Sequence, residues 1–202
     1  MVQDLVDHLV QIGVQARVID TKSMEAVKHR PTFGIFGNPP LGVVKIDGRN
    51  IDLVELYREI TGGDADTPGQ VIYHYDYVVR ANVGNREEDL KAEVHPIEKG
   101  MLRKELVDFE WKGGSLAKSL NADQDLRKMI LESGAPRLAV KPDKKDGCVA
   151  IKLPQKKWHT TLTIGGIPVK HEFTVGRKAF PSREAFEIYD RIAKHIRSTI
   201  GA

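Results

Sequence analysis

Two pairs of ionisable residues stand at strand spacing in the middle of the chain, His74 with Asp76 and Glu93 with His95. In an extended segment residues i and i+2 share a face, and Val71, Tyr73, Tyr75, Tyr77 and Val79 supply an apolar stripe for the opposite face. If the two segments are neighbouring strands, two imidazoles and two carboxylates converge. That donor set suits Zn²⁺, Mn²⁺ or Fe²⁺, or an acid/base pair, and its expected activity is metal-dependent hydrolysis. The plainer reading is a solvated sheet face, because Lys91, Arg80, Ile72 and Val78 fall on the same side.

A second constellation is basic. Lys144 and Lys145 share one turn, Lys156 and Lys157 precede Trp158, and Arg177 and Lys178 follow the segment that ends at Val175. Gly165-Gly166 lies between two runs of strand formers and supplies the positive φ angles of a two-residue hairpin turn. The register that follows pairs Ile164 with Ile167, Leu162 with Val169, Thr160 with His171 and Trp158 with Phe173, leaving Thr163–Pro168, Thr161–Lys170 and His159–Glu172 on the wet face. The hairpin then gathers Lys156, Lys157, Arg177 and Lys178 at one end. Such a cluster suits a phosphate or a phosphodiester backbone. No exposed aromatic row accompanies it, so the stacking platform of single-strand binders is missing.

Three further residues have single roles. His171 is expected on the apolar face of the ribbon, where Thr160 is its hydrogen-bond partner. Cys148 follows a basic turn but has no His placed to activate it, and reads as a small structural residue. His195 falls near the end of the last helix between Lys194 and Arg197, where a cation suits the helix dipole. The chain holds no P-loop, Gly-x-Gly-x-x-Gly, His-Glu-x-x-His or Gly-x-Ser-x-Gly motif. Gly34, Gly37 and Gly42 near Pro39-Pro40 lack a following Lys-Ser/Thr and read as turn residues.

Composition bounds the remaining classes. At 202 residues, 41% hydrophobic and 29% charged, the chain is long enough for a sizeable core and far from disordered usage. One cysteine excludes an internal disulfide and a Cys-rich zinc module. The acidic start and the lack of an apolar run of ~20 residues argue against a signal peptide or membrane span, so a soluble, cytoplasmic protein with no membrane partner is expected. Charge is unevenly spread. Residues 1–68 hold 7 Lys/Arg against 10 Asp/Glu, residues 69–135 hold 10 against 12, and residues 136–202 hold 14 against 6. A basic third beside an acidic remainder suits an anionic partner, although the same lysines also solvate the fold.

The elements that must hold these residues follow from periodicity. Val2, Leu5, Val6, Leu9 and Ile12 predict a helix ended by Gly13, and residues 14–20 alternate as a strand. Phe33–Phe36 and Leu41–Ile46 are short apolar runs. Asp52 is expected to cap a helix carrying Leu53, Leu56, Tyr57 and Ile60, and residues 62–69 read as a linker. Residues 70–111 predict three neighbouring antiparallel strands. Ser115–Leu120 and a turn of helix capped by Asp123 come next. Residues 137–142 and 148–153 then make a four-stranded meander with the hairpin at 158–175. Ser182 caps a final helix with Phe186, Tyr189, Ile192, Ile196 and Ile200 on one face.

The expected fold class is α+β: one domain over 1–202 with sub-units at 1–68, 69–114 and 115–202, short meandering antiparallel strands, and helices from both ends packed on one face. A weak α-β-α duplication is suggested by Asp4-Leu5 with Gly13 against Asp125-Leu126 with Gly134, and by Gly48-Arg49 against Gly176-Arg177. The expected function is a binding or adaptor module with a basic C-terminal surface for nucleic acid or a phosphorylated ligand. The alternatives are the metal-dependent hydrolase and a structural subunit that binds another protein chain. The residues name no cofactor.

Overall fold

The computed structural model describes residues 1–19, 40–61, 70–99, 105–133, 138–152, 160–164, 167–171 and 180–201. They form helices α1 (Val2–Gln11), α2 (Glu87–Leu90), α3 (Ser115–Ala122), α4 (Gln124–Ser133) and α5 (Arg183–Gly201). The strands are β1 (Gln15–Ile19), β2 (Gly42–Asp47), β3 (Leu53–Thr61), β4 (Gln70–Arg80), β5 (Ala92–Lys99), β6 (Glu105–Gly113), β7 (Ala139–Asp143), β8 (Cys148–Lys152), β9 (Thr160–Ile164) and β10 (Ile167–His171). This is the α+β arrangement expected from periodicity. No described helix is long and apolar enough to cross a membrane.

Eight strands make one antiparallel sheet in the order β1-β2-β3-β4-β8-β7-β5-β6, and β9 with β10 makes a separate two-stranded sheet. One face of the large sheet is covered by helices from both ends of the chain. Leu5, Val6 and Leu9 of α1 and Phe186, Tyr189, Ile192 and Ile196 of α5 join the same core as Val44, Leu56, Tyr77, Ile151 and Phe109. The tyrosine stripe therefore does face the core: Tyr77 is fully buried, stacked on Tyr189 with ring centroids 4.1 Å apart, and meets Phe186 edge-on.

The helix expected over 53–60 is a strand. Leu53 to Tyr57 are all buried, Val54 and Leu56 toward the helices and Leu53, Glu55 and Tyr57 toward the other face. A strand buried on both sides shows no alternation, and its apolar residues then fit a helical stripe by accident. Nine register pairs with β4, from Leu53↔Val78 to Thr61↔Gln70, decide the matter. Asp52 caps no helix; its carboxylate accepts the Arg80 backbone N–H at 2.7 Å. The second half of the suggested duplication, which needed that helix, goes with it.

Two neighbour relations also differ from expectation. β8 pairs with β4 and β7 and not with the hairpin, so the four-stranded meander does not form. Cys148 to Ile151 are all buried and need a strand on each side, which the far edge of β4 supplies over five pairs. By inserting there, β8 and β7 separate β4 from β5. The hairpin itself has the expected register, Ile164↔Ile167, Pro168↔Thr163, Val169↔Leu162, Lys170↔Thr161 and His171↔Thr160. Trp158, His159, Glu172 and Phe173 lie outside the described residues, as do the side-chain surroundings of His171.

Among the described residues the Tyr75 and Tyr77 hydroxyls are buried without a hydrogen-bond partner. Burying such a donor costs stability that an apolar ring does not. Tyr77→Phe keeps the stacking on Tyr189 and is expected to raise stability by about 1 kcal/mol in denaturant unfolding; a loss of similar size would reveal a partner for the hydroxyl.

Candidate functional site

On the face away from the helices, register sets six residues in one row across the sheet. Glu55 pairs with Asp76, Asp76 with Lys152, Lys152 with Ala139, Ala139 with Glu93, and Glu93 with Lys112. The row is buried at the β3–β4–β8 end, where Glu55 is fully buried and Asp76 is 7% exposed, and open at the β5–β6 end. Lys152 Nζ lies 2.8 Å from Asp76, and the Tyr57 hydroxyl donates to Glu55 at 2.6 Å. Burial raises the Asp76 carboxyl above its usual range; Lys152 opposes that and Glu55 adds to it. Two carboxylates side by side are thus held by one ammonium and one phenol.

The four expected metal ligands do not meet. His74 and Asp76 are on β4 and Glu93 and His95 on β5, three strand spacings away, about 14 Å. The adjacency assumed for them fails because β8 and β7 intervene. Among the described residues no group of three or more His, Cys, Asp or Glu is placed to hold a metal ion. Glu93 and His95 instead line an open groove of ≈ 710 Å³ with Lys91, Lys112 and Lys141. Cys148 is buried in a small apolar cluster with Val43, Leu53 and Val78, and burial pushes its thiol up to about 12, which agrees with a structural role.

Of the expected basic residues, Lys144 and Lys145 are exposed in the β7–β8 turn, and Lys144 donates to Asn85 at 3.2 Å. Lys156, Lys157, Arg177 and Lys178 lie outside the described residues.

A polar centre that the sequence reading did not assemble joins Asp123 and His195. Asp123, at the corner between α3 and α4, is the expected N-cap, accepting the Leu126 N–H at 3.0 Å. Its carboxylate also takes a two-pronged bond from Arg191 of α5, Nε at 2.6 Å and Nη2 at 2.7 Å, and the His195 Nε2 at 2.8 Å. Ser119 Oγ lies 2.7 Å from His195 Nδ1. His195 thus bridges the Asp123 carboxylate and the Ser119 hydroxyl through its two ring nitrogens. Burial works to raise the Asp123 carboxyl, but Arg191, the Leu126 N–H and His195 outweigh it and hold it well below the usual carboxylate range. His195 therefore serves this corner and not the helix end. Nearby, Asp190 accepts the backbone N–H groups of Asn50 and Ile51 at 2.6 and 3.2 Å, and Arg197 reaches Asp52 at 2.9 Å. A cleft of ≈ 460 Å³ opens between these groups.

Serine, histidine and aspartate in a relay are the parts of a nucleophilic site. Ser119, however, is the fifth residue of α3, past the first turn, so the backbone N–H groups beside it are used by the helix and are not free to cradle an oxyanion. The forked Arg191 bond also commits Asp123. The arrangement is built to tie three helices. Sequence could have found Asp123 as a cap but not its partners, which are 68 and 72 residues away.

In comparison with known proteins, no family model matches the chain, no curated protein matches it, and no solved structure matches it.

Because its folded-state pKa is depressed, Asp123 contributes stability above the unfolded carboxylate value of about 3.9, and that contribution is lost as pH falls through the lower folded value. Asp123→Asn is expected to cost about 2–3 kcal/mol at pH 7. The gap between variant and parent should close as unfolding curves are taken to more acid pH below about 4. A gap that stays constant would show that the ionised carboxylate is not what the corner uses.

Proposed function

We propose that the chain is a binding module for an anionic partner, a nucleic acid or a phosphorylated ligand, held by a basic C-terminal surface. The observation that supports this most is the β9–β10 ladder, which runs from Ile164↔Ile167 to Thr160↔His171. In sequence Lys156 and Lys157 precede one arm of that ladder, and Arg177 and Lys178 follow the other. The β7–β8 turn of the same third adds Lys144 and Lys145, both exposed. Like charges repel, and a polyanion that binds them relieves the repulsion while releasing its own counterions.

The test is a salt titration of binding to mixed-sequence RNA, duplex DNA and polyphosphate. Affinity is expected to fall linearly in log–log form with a slope of roughly 0.7 to 0.9 per phosphate contacted. Replacing Lys156, Lys157, Arg177 and Lys178 together by Ala should abolish binding with the thermal midpoint nearly unchanged, because the charges of a binding surface add little to stability. If the parent binds none of the three polyanions at low salt, the basic third is a solvated surface and the reading is lost.

A further inference from the structure

β6 is the last strand of the large sheet, so among the described residues no strand pairs with one side of its backbone. The residues that face that side follow from β5. Val94 N–H donates to Leu138 C=O on the β7 side at 2.8 Å, so Val94↔Trp111 is a pair that exchanges no backbone bonds. The N–H and C=O of Trp111 therefore point away from the sheet. The same parity turns the N–H and C=O of Phe109 outward, opposite Pro96, whose missing N–H would have pointed away from β6. A row of outward donors and acceptors is a template for another chain.

Side chains close that row. Asn121, in the last turn of α3, accepts the Trp111 N–H at Oδ1, 2.9 Å, and donates from Nδ2 to the Trp111 C=O, 2.8 Å. Together these are the two bonds that a residue on a ninth strand would exchange with Trp111. Asp108 Oδ1 accepts the Phe109 N–H at 2.8 Å, and Asp108 is itself held by Arg127 of α4, whose guanidinium lies over the Phe109 ring. Val107, the residue that the β5 register skips between Leu106 and Asp108, is 43% exposed and leaves an apolar side chain beside this edge.

We propose that Asn121 is a side-chain surrogate for a ninth strand and keeps β6 from pairing with β6 of a second copy of this chain. A second copy is the occupant because an antiparallel strand edge is self-complementary about a two-fold axis, each chain offering the same donors and acceptors to the other. Once the amide is gone, Trp111 can recover its two bonds only from water or from another edge.

Mass should be followed against concentration for the parent, Asn121→Ala, and Asn121→Ala with Val107→Lys. The alanine variant is expected to gain a concentration-dependent species of twice the parent mass, and Val107→Lys, which puts a charge on the pairing edge, to reverse it. A folded alanine variant with the parent's mass, or association that Val107→Lys leaves intact, overturns the proposal. Amide hydrogen exchange on the unsubstituted chain tests the same idea should the variant not fold. The Trp111 N–H is expected to exchange slowly although no strand pairs with it, and exchange at the rate of an exposed amide overturns the assignment.

Discussion

A buried carboxylate must find donors, and the way Asp123 finds them organises the helical layer. Its side chain is 10% exposed and its partners come from two helices: Leu126 within α4, and Arg191 and His195 from α5. The apolar stripe of α5 specifies that the helix lies on the sheet, but hydrophobic contact is non-directional and leaves sliding and rotation open. Directional bonds to the corner on one flank, and from Asp190 and Arg197 to the β2–β3 loop on the other, remove that freedom. The corner reaches the sheet as well. Asn121, two residues before Asp123, bonds to Trp111 at the sheet edge, and Arg127 to Asp108.

The other face follows a different rule. There the sheet carries charge into the interior, with Glu55, Asp76 and Lys152 in one row. In such a set the lysine offsets the carboxylates, and its removal leaves buried charge uncompensated. At its far end the row ends in Glu93 and Lys112, exposed and directly opposite each other across β5 and β6. The charged face is thus graded from interior to solvent.

Local chemistry was legible in the sequence wherever two signals coincided. The Gly165-Gly166 turn and the alternating flanks specified one register for β9 and β10, and a slip by one residue would have exposed both apolar runs. The first and last helices followed from period and cap, the latter confirmed by Ser182 Oγ accepting the Ala185 N–H at 3.2 Å. What was not legible depends on separation in sequence. Leu53 to Thr61 became a strand because β4 lay beside it, and β4 lost β5 as a neighbour because β8 and β7, some 70 residues later, took the place between them. The expected His/carboxylate cluster failed for that reason alone: the alternation within each strand was correct, and the order of strands was not. Asp123 carried only a capping signal, while the tertiary partners of Asp123 and Asn121 had none.

The central claim is that the α3–α4 corner fastens the sheet edge and α5 as one unit. A double-mutant cycle of Asn121→Ala and Asp123→Asn in denaturant unfolding tests it most directly. The claim predicts a combined loss that departs from the sum of the single losses by about 0.5–3 kcal/mol. Losses that add to within about 0.3–0.5 kcal/mol would mean that the two residues act independently, and would contradict it.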